Sequence, residues 1–201
     1  MHEILEALRR EHATILRLLD ALEWQVSAFE RGQASDYDVI GATLEYFLGY
    51  PDAYHHPKED LVFAKLGERD AAAAAGIGDL LGEHREIGER AREFATGLHA
   101  VLKEEGPPKR SFVQRARRFI EMQRQHLFKE EAGFFPAADK ALRAEDWAEL
   151  EARMKAGEDP LFGEKAAAKF ERLRQMILTW QAEDEAGDAG VEPRLSFNEN
   201  E

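Results

Sequence analysis

The chain of 201 residues contains no cysteine. That excludes a disulfide framework, a zinc ribbon, a thiolate-held cluster and a cysteine nucleophile, so any bound metal must rely on His, Asp, Glu or Tyr. Positive charge is in deficit, with 27 Lys and Arg against 40 Asp and Glu and a net charge of −13. Phosphate neutralisation needs a surplus of cations, so no nucleic-acid partner is expected, and the short run Arg115, Arg117, Arg118 does not reverse this. Nowhere do about eighteen apolar residues run together, and the opening Met1-His2-Glu3-Ile4-Leu5-Glu6 is charged and amphipathic where a signal peptide would be basic and then apolar. The expectation is a soluble, cytoplasmic protein with no membrane partner. Glycine (15) and proline (7) are few and gathered in a few places. Ala, Leu, Glu and Arg fill long stretches of helical rather than alternating periodicity, so the expected class is all-α. The length suits one domain with a good-sized core and an appendage.

Four long helices are expected, from about 2 to 30, 37 to 66, 77 to 104 and 111 to 142. The first carries the apolar stripe Leu5, Leu8, His12, Ile15, Leu16, Leu19, Leu22 and Val26. Gly32 breaks the pattern, and Ser35 or Asp36 offers the next N-cap. The core face of the second helix reads Leu44, Phe47, Leu48, Pro51, His55, Glu59, Val62 and Leu66, and Pro51 and Pro57 are predicted to kink or loosen it near the histidines. An alanine-rich link with Gly76 and Gly78 leads to the third helix, striped by Leu80, Leu81, His84, Ile87, Ala91, Phe94, Leu98 and Leu102. Gly106-Pro107-Pro108 stops it, and Ser111 helps start the fourth, whose face is Phe112, Ala116, Phe119, Gln123, His126, Glu130, Phe134 and Ala137, with Pro136 distorting its last turns.

Short links between helices of similar length favour an up-down-up-down antiparallel four-helix bundle over residues 1–143. Residues 144–182 read as a C-terminal helical extension: a short helix, then a longer amphipathic one from 161 carrying Leu161, Phe162, Phe170, Leu173, Met176, Ile177 and Trp180. These are expected to pack on the bundle or on a second subunit of a homodimer. The acidic tail, 183–201, has no periodicity and is expected to be disordered.

What the chain does contain is a signature written twice, His55-His56-Pro57-Lys58-Glu59-Asp60 and His126-Leu127-Phe128-Lys129-Glu130-Glu131. His and Glu stand four apart, about one helical turn, so each pair projects an imidazole and a carboxylate onto one face. His12 and His84 lie inside apolar stripes of the other two helices. At about 1.5 Å of rise per residue, counting from the helix ends in an antiparallel bundle puts all six groups in one layer. A carboxylate or an imidazolium on a core face is costly unless it is paired or binds metal. One such histidine reads as a satisfied core residue; four, with two glutamates at one height, read as a metal site.

Register favours His55 over His56, because His55 aligns with Leu48, Glu59, Val62 and Leu66 while His56 shares a face with Gly49, Asp60 and Gly67. His56 is therefore expected at the surface or behind the ligands. Asp60 and Glu131 are expected to face solvent, and His2 and His99 to be ordinary surface residues. Imidazole and carboxylate without thiolate suit iron, with manganese or zinc as alternatives, and two carboxylates from facing helices can bridge two ions. Neither a His-Glu-x-x-His nor a ferritin-type Glu-x-x-His motif occurs.

The ordered set His12, His55-x-x-x-Glu59, His84, His126-x-x-x-Glu130, with the run from His126 to Pro136, resembles the hemerythrin-like (HHE cation-binding) family over residues 5–142. The resemblance implies a non-haem di-iron site, oxo- or hydroxo-bridged, with an open position for dioxygen, NO or peroxide. It implies that His12 and His55 hold one iron, that His84 and His126 hold the other, and that Glu59 and Glu130 bridge them. Oxygen-carrying members have a second histidine four residues after the one matching His84 and close with His-x-x-x-x-Asp; here the corresponding residues are Gly88 and Glu130. Water, Tyr50 or Tyr54 is expected to fill the position lost at Gly88, where a small ligand would find space. The function that follows is binding of a small diatomic ligand or peroxide for sensing, storage or detoxification. The alternatives are a peroxide- or NO-consuming enzyme and an iron-donating protein of iron-sulfur cluster repair, the latter disfavoured by the lack of cysteine. A helical interaction module with vestigial ligands is disfavoured by six intact ones.

Overall fold

The computed structural model describes residues 1–103, 109–154, 161, 170–171 and 173–179. Among them every regular element is helical, no strand occurs, and no helix is long and apolar enough to cross a membrane. The elements are α1 (Glu3–Glu30), α2 (Tyr37–Tyr50), a first π-helical turn (Pro51–His55), α3 (His56–Arg69), α4 (Ala71–Ile77), α5 (Leu80–Leu102), α6 (Lys109–Lys129), a second π turn (Glu130–Phe134), α7 (Phe135–Ala141) and α8 (Ala144–Arg153). Helices α1, α2, α5 and α6 pack on one another as a helical bundle, and α3 lies on α5 and α7.

The starts of the helices follow from side-chain caps. Asp36 accepts from the backbone N–H groups of Asp38 and Val39 at 3.1 and 3.2 Å, and Asp79 accepts from Gly82 at 2.9 Å. The alanine-rich link is itself a short helix. Asp70 accepts from Ala73 at 2.9 Å, and Gly78, at φ +93°, ends it in a conformation that side-chain-bearing residues rarely adopt. Ser111 is not the cap of the fourth long helix, because α6 already starts at Lys109. Gly106, Pro107 and Pro108 lie outside the described residues.

The second long helix stays continuous through Pro51 and Pro57 and is loosened there into a π turn. Each π turn is followed two residues later by a proline, Pro57 and Pro136, whose ring crowds the carbonyl four residues back. The backbone N–H of His56 instead donates to Pro51 and that of Phe135 to Glu130, five residues back, so the helix widens to pass the ring. The extra residue per turn shifts the inward face. Tyr46, Phe47 and Tyr50 are buried ahead of the first π turn, and Leu48, expected in the core, is 39% exposed. Leu81 and Leu102, at the margin and end of the α5 stripe, are also exposed.

Two apolar cores flank one polar layer. One gathers Ile15, Leu19, Leu22, Val26, Phe47, Phe94, Phe112 and Phe119; the other gathers Leu5, Leu8, Val62, Leu66, Phe134, Phe135, Trp147 and Leu150. The segment after residue 143 contributes to both. Trp147 and Leu150 of α8 belong to the second, and Leu161, Phe170, Leu173 and Ile177 to the first. Arg69 clasps Asp146 through three hydrogen bonds of 2.7–3.0 Å and so ties α3 to α8. Phe162, Trp180 and the tail from 183 lie outside the described residues.

Candidate metal centre

Between the two cores, α1 supplies His12, the first π turn His55, α3 Glu59, α5 His84, α6 His126 and the second π turn Glu130. All six are buried, and the two glutamates show no exposed surface at all. Their atoms converge. Glu59 Oε1 lies 3.1 Å from His12 Nε2 and 3.3 Å from His55 Nε2, while Glu59 Oε2 lies 3.6 Å from His84 Nε2. Glu130 Oε1 lies 3.2 Å from His126 Nε2 and 3.5 Å from His84 Nε2, and its Oε2 lies 3.5 Å from His12 Nε2. Each carboxylate thus offers one oxygen to the His12 side and the other to the His84 side.

His56 is not at the surface. It is 5% exposed, its ring stacks on that of His84 at 4.2 Å and 10°, and it lies edge-on to His126. Ligand atoms of His56, Glu59, His84 and His126 lie within 4.8 Å of one another, and those of His12, His55 and Glu59 form a second such group. The physical reason is the width of the inward arc. His55 and His56 are about 100° apart on the helix, with Glu59 between them, so His55 faces Glu11 and His12 while His56 faces His84. The inward arc is wide enough for both neighbouring histidines, so of the two places expected for His56 the surface is excluded.

The space beside Gly88 is also filled. A Cβ there would stand 3.2 Å from Asp52 Oδ2 and from an Arg92 guanidinium nitrogen, so it is not an open approach for a small ligand. Tyr50 is buried against the rings of Tyr46 and Tyr54, and Tyr54 is 37% exposed. His2 caps α1 and stacks on Trp147 at 4.4 Å, and His99 is exposed.

A ring of carboxylates surrounds the layer. The Nδ1–H of His12 donates to Glu131 at 2.9 Å, that of His55 to Glu11 at 2.7 Å, that of His56 to Asp52 at 3.2 Å, that of His84 to Asp60 at 2.9 Å and that of His126 to Glu83 at 3.1 Å. Five imidazoles are thereby turned with Nε2 inward. Asp60 and Glu131, expected to face solvent idly, orient histidines across the bundle. Cations back four of the acids: Lys58 binds Glu11 at 2.7 Å, Arg9 binds Glu131 at 2.8 Å, Arg92 lies 3.7 Å from Asp52, and Lys129 pairs with Glu83. The Lys in each written-twice motif therefore holds the acid that orients that motif's own histidine. Sequence reasoning passed over Glu11 and Glu83, although the signal was present: each directly precedes a stripe histidine, in Glu11-His12 and Glu83-His84.

The charge balance follows. Burial opposes charge on His12, but hydrogen bonds to Glu131 and Glu59 overcome it and raise its pKa to about 10. His84 is likewise raised to about 10 against burial, by Asp60 and Glu130. Burial lowers His56 to about 4, with only partial compensation from Asp52, and keeps it neutral. Glu59, despite the desolvation that favours its neutral form, is held well below the usual carboxylate range by His55 and His12. Glu83 is lowered to about 2, chiefly by its bond from His126.

Several inward atoms remain without hydrogen-bond partners though fully buried: Glu59 Oε2, both Glu130 oxygens, His84 Nε2 and His126 Nε2. Buried polar atoms left without a partner cost about 1–3 kcal/mol each and call for an explanation. Converging nitrogens and carboxylate oxygens, held from behind by their own hydrogen bonds, fit a cation with hard to intermediate ligand preference. Comparison with known proteins agrees with that chemistry. The family model described as hemerythrin HHE cation binding domain matches residues 3–138. No curated protein and no solved structure matches the chain.

Proposed function

The chain belongs to the hemerythrin HHE cation-binding domain family, and from that premise we propose that it is a cytoplasmic non-haem di-iron protein that binds dioxygen, NO or peroxide for sensing, storage or detoxification. One observation carries the reading: Glu59 and Glu130 each turn one oxygen toward His12 and the other toward His84, as two bridging carboxylates between two ions would. In this reading His12 and His55 hold one ion, His84 and His126 the other, and the four long helices run up-down-up-down to bring them level. A bound iron pair supplies coordination positions and redox capacity that no side chain has. The protein's part is to fix imidazole orientation through the Nδ1–carboxylate bonds, to exclude bulk water by the two apolar cores, and to hold the protons that leave when a cation binds.

Metal analysis of the full-length chain, expressed with supplementary iron, tests this. About two iron per chain are expected, with near-ultraviolet charge-transfer absorption. Iron near zero overturns the proposal. Reduced protein exposed separately to dioxygen, NO and peroxide then separates reversible binding, seen as a spectral change undone by removing the gas, from turnover by a peroxide- or NO-consuming enzyme. Transfer of iron to an apo iron-sulfur acceptor is the result expected of the repair alternative.

A further inference from the structure

We propose that His56 is a fifth histidine ligand, completing the position held by His84 and His126, and that Gly88 makes room for it. The inference rests on the dinuclear reading above and goes beyond the six ligands that reading uses. A nitrogen of His56 lies within 4.8 Å of ligand atoms of His84, His126 and Glu59, all buried. Beside it, His84 Nε2 and His126 Nε2 are buried with no hydrogen-bond partner, as expected of nitrogens that face a shared cation. His56 is also held like a ligand. Its Nδ1–H is engaged by Asp52 at 3.2 Å, the same carboxylate-to-Nδ1 bond that each of the other four histidines makes.

Gly88 supplies the steric condition. Asp52 Oδ2 and the Arg92 guanidinium lie where a side chain at residue 88 would begin, 3.2 Å from the ideal Cβ. A bulky residue there would push Asp52 away and release His56. The chain therefore gains a nitrogen from α3 in place of one from α5, and the two halves of the site are unequal. In the second motif the residue after the histidine is Leu127, which is buried in the apolar core. Three imidazoles would then serve the His84 side and two the His12 side.

The test uses the full-length chain, freed of metal and reconstituted with cobalt(II). Proton NMR in water counts exchangeable, hyperfine-shifted imidazole N–H signals, one for each coordinated histidine whose Nδ1–H is shielded by a carboxylate. Five signals are expected, and four overturn the proposal whatever any variant does. Competition against a chelator gives the second readout: His56→Gln is expected to weaken one cobalt ion by about 10–100-fold and leave the other within a few fold. Equal loss of both ions, or loss of neither, overturns the assignment. A wild-type chain that takes up fewer than two cobalt ions overturns the dinuclear reading itself, and this inference with it. Two ions with only four N–H signals removes His56 alone.

Discussion

The imidazoles of the layer are positioned by acids that never face the cation site, and this makes the acids testable one at a time. Glu11→Gln removes the charge that fixes His55 and pairs with Lys58, and Glu83→Gln does the same to His126 and Lys129. Each is expected to lower metal affinity about 10–100-fold in chelator competition while leaving helicity by circular dichroism unchanged. The protons are equally specific. In the metal-free chain at pH 8, His12 and His84, each raised to about 10, are imidazolium ions. Metal binding must displace a proton from each, so loading with ferrous or zinc ion is expected to release at least about two protons per chain, these two and any lost by a bridging water, measured by pH-stat titration; release near zero removes these two as ligands. The sign for stability follows. A histidine whose pKa is raised above its ordinary 6.5 stabilises the fold fully below that value and loses the contribution as pH climbs through about 10. Glu59, held low, contributes above its ordinary 4.5 and loses it as pH falls. The metal-free thermal midpoint is therefore expected to decline from pH 7 to 10, and that of the loaded protein to stay level over the same range.

At the scale of the element, the two π turns explain where helical-wheel reasoning ran true and where it slipped. Counting by 3.6 residues holds within most of α1, where Leu5, Leu8, His12, Ile15, Leu19, Leu22 and Val26 of the stripe are buried, while Leu16 at its margin is only partly buried. It slips across Pro51–His55, where one extra residue is absorbed, and Leu48 turns outward in consequence. The prolines mark a departure from α geometry, but whether the helix kinks, breaks or widens depends on its neighbours. The caps behave as local chemistry dictates. Asp36→Ala strips the acceptor from the N–H groups of Asp38 and Val39 and is expected to cost about 1 kcal/mol in urea unfolding with metal content unchanged. A larger loss accompanied by loss of metal would mean that the start of α2 is coupled to the layer.

For the whole molecule, burying a charged layer between two apolar cores makes metal binding and folding interdependent. With free metal at about 100 times its dissociation constant, each bound ion adds about 2.7 kcal/mol. For a chain of this size that is a midpoint shift of about 5–10 °C, lost on chelation and restored on reloading, as calorimetry can follow. The described residues after 143 pack into the two apolar cores. Leu173 and Ile177 are buried in the core that contains Tyr46 and Phe47, and Leu173→Ala or Ile177→Ala is expected to cost about 2–5 kcal/mol while leaving metal stoichiometry as in the parent chain. Stoichiometry that falls in step with stability would instead make this segment part of the site's support.

The sequence by itself determined the helical class, the four stripes, and the placing of His12, His55, Glu59, His84, His126 and Glu130 on inward faces, because helical period and the cost of burying charge are local and one-dimensional rules. It also carried, unread, the acids beside those ligands. Only tertiary structure decided which way Asp60 and Glu131 turn, because each serves a histidine on another helix, and no spacing within one helix encodes the angle between two. The same holds for His56. Its neighbour His55 and its own 100° offset made it look redundant, and it enters the layer because α3 faces α1 on one side and α5 on the other, with Asp52 seated over Gly88 to hold it there.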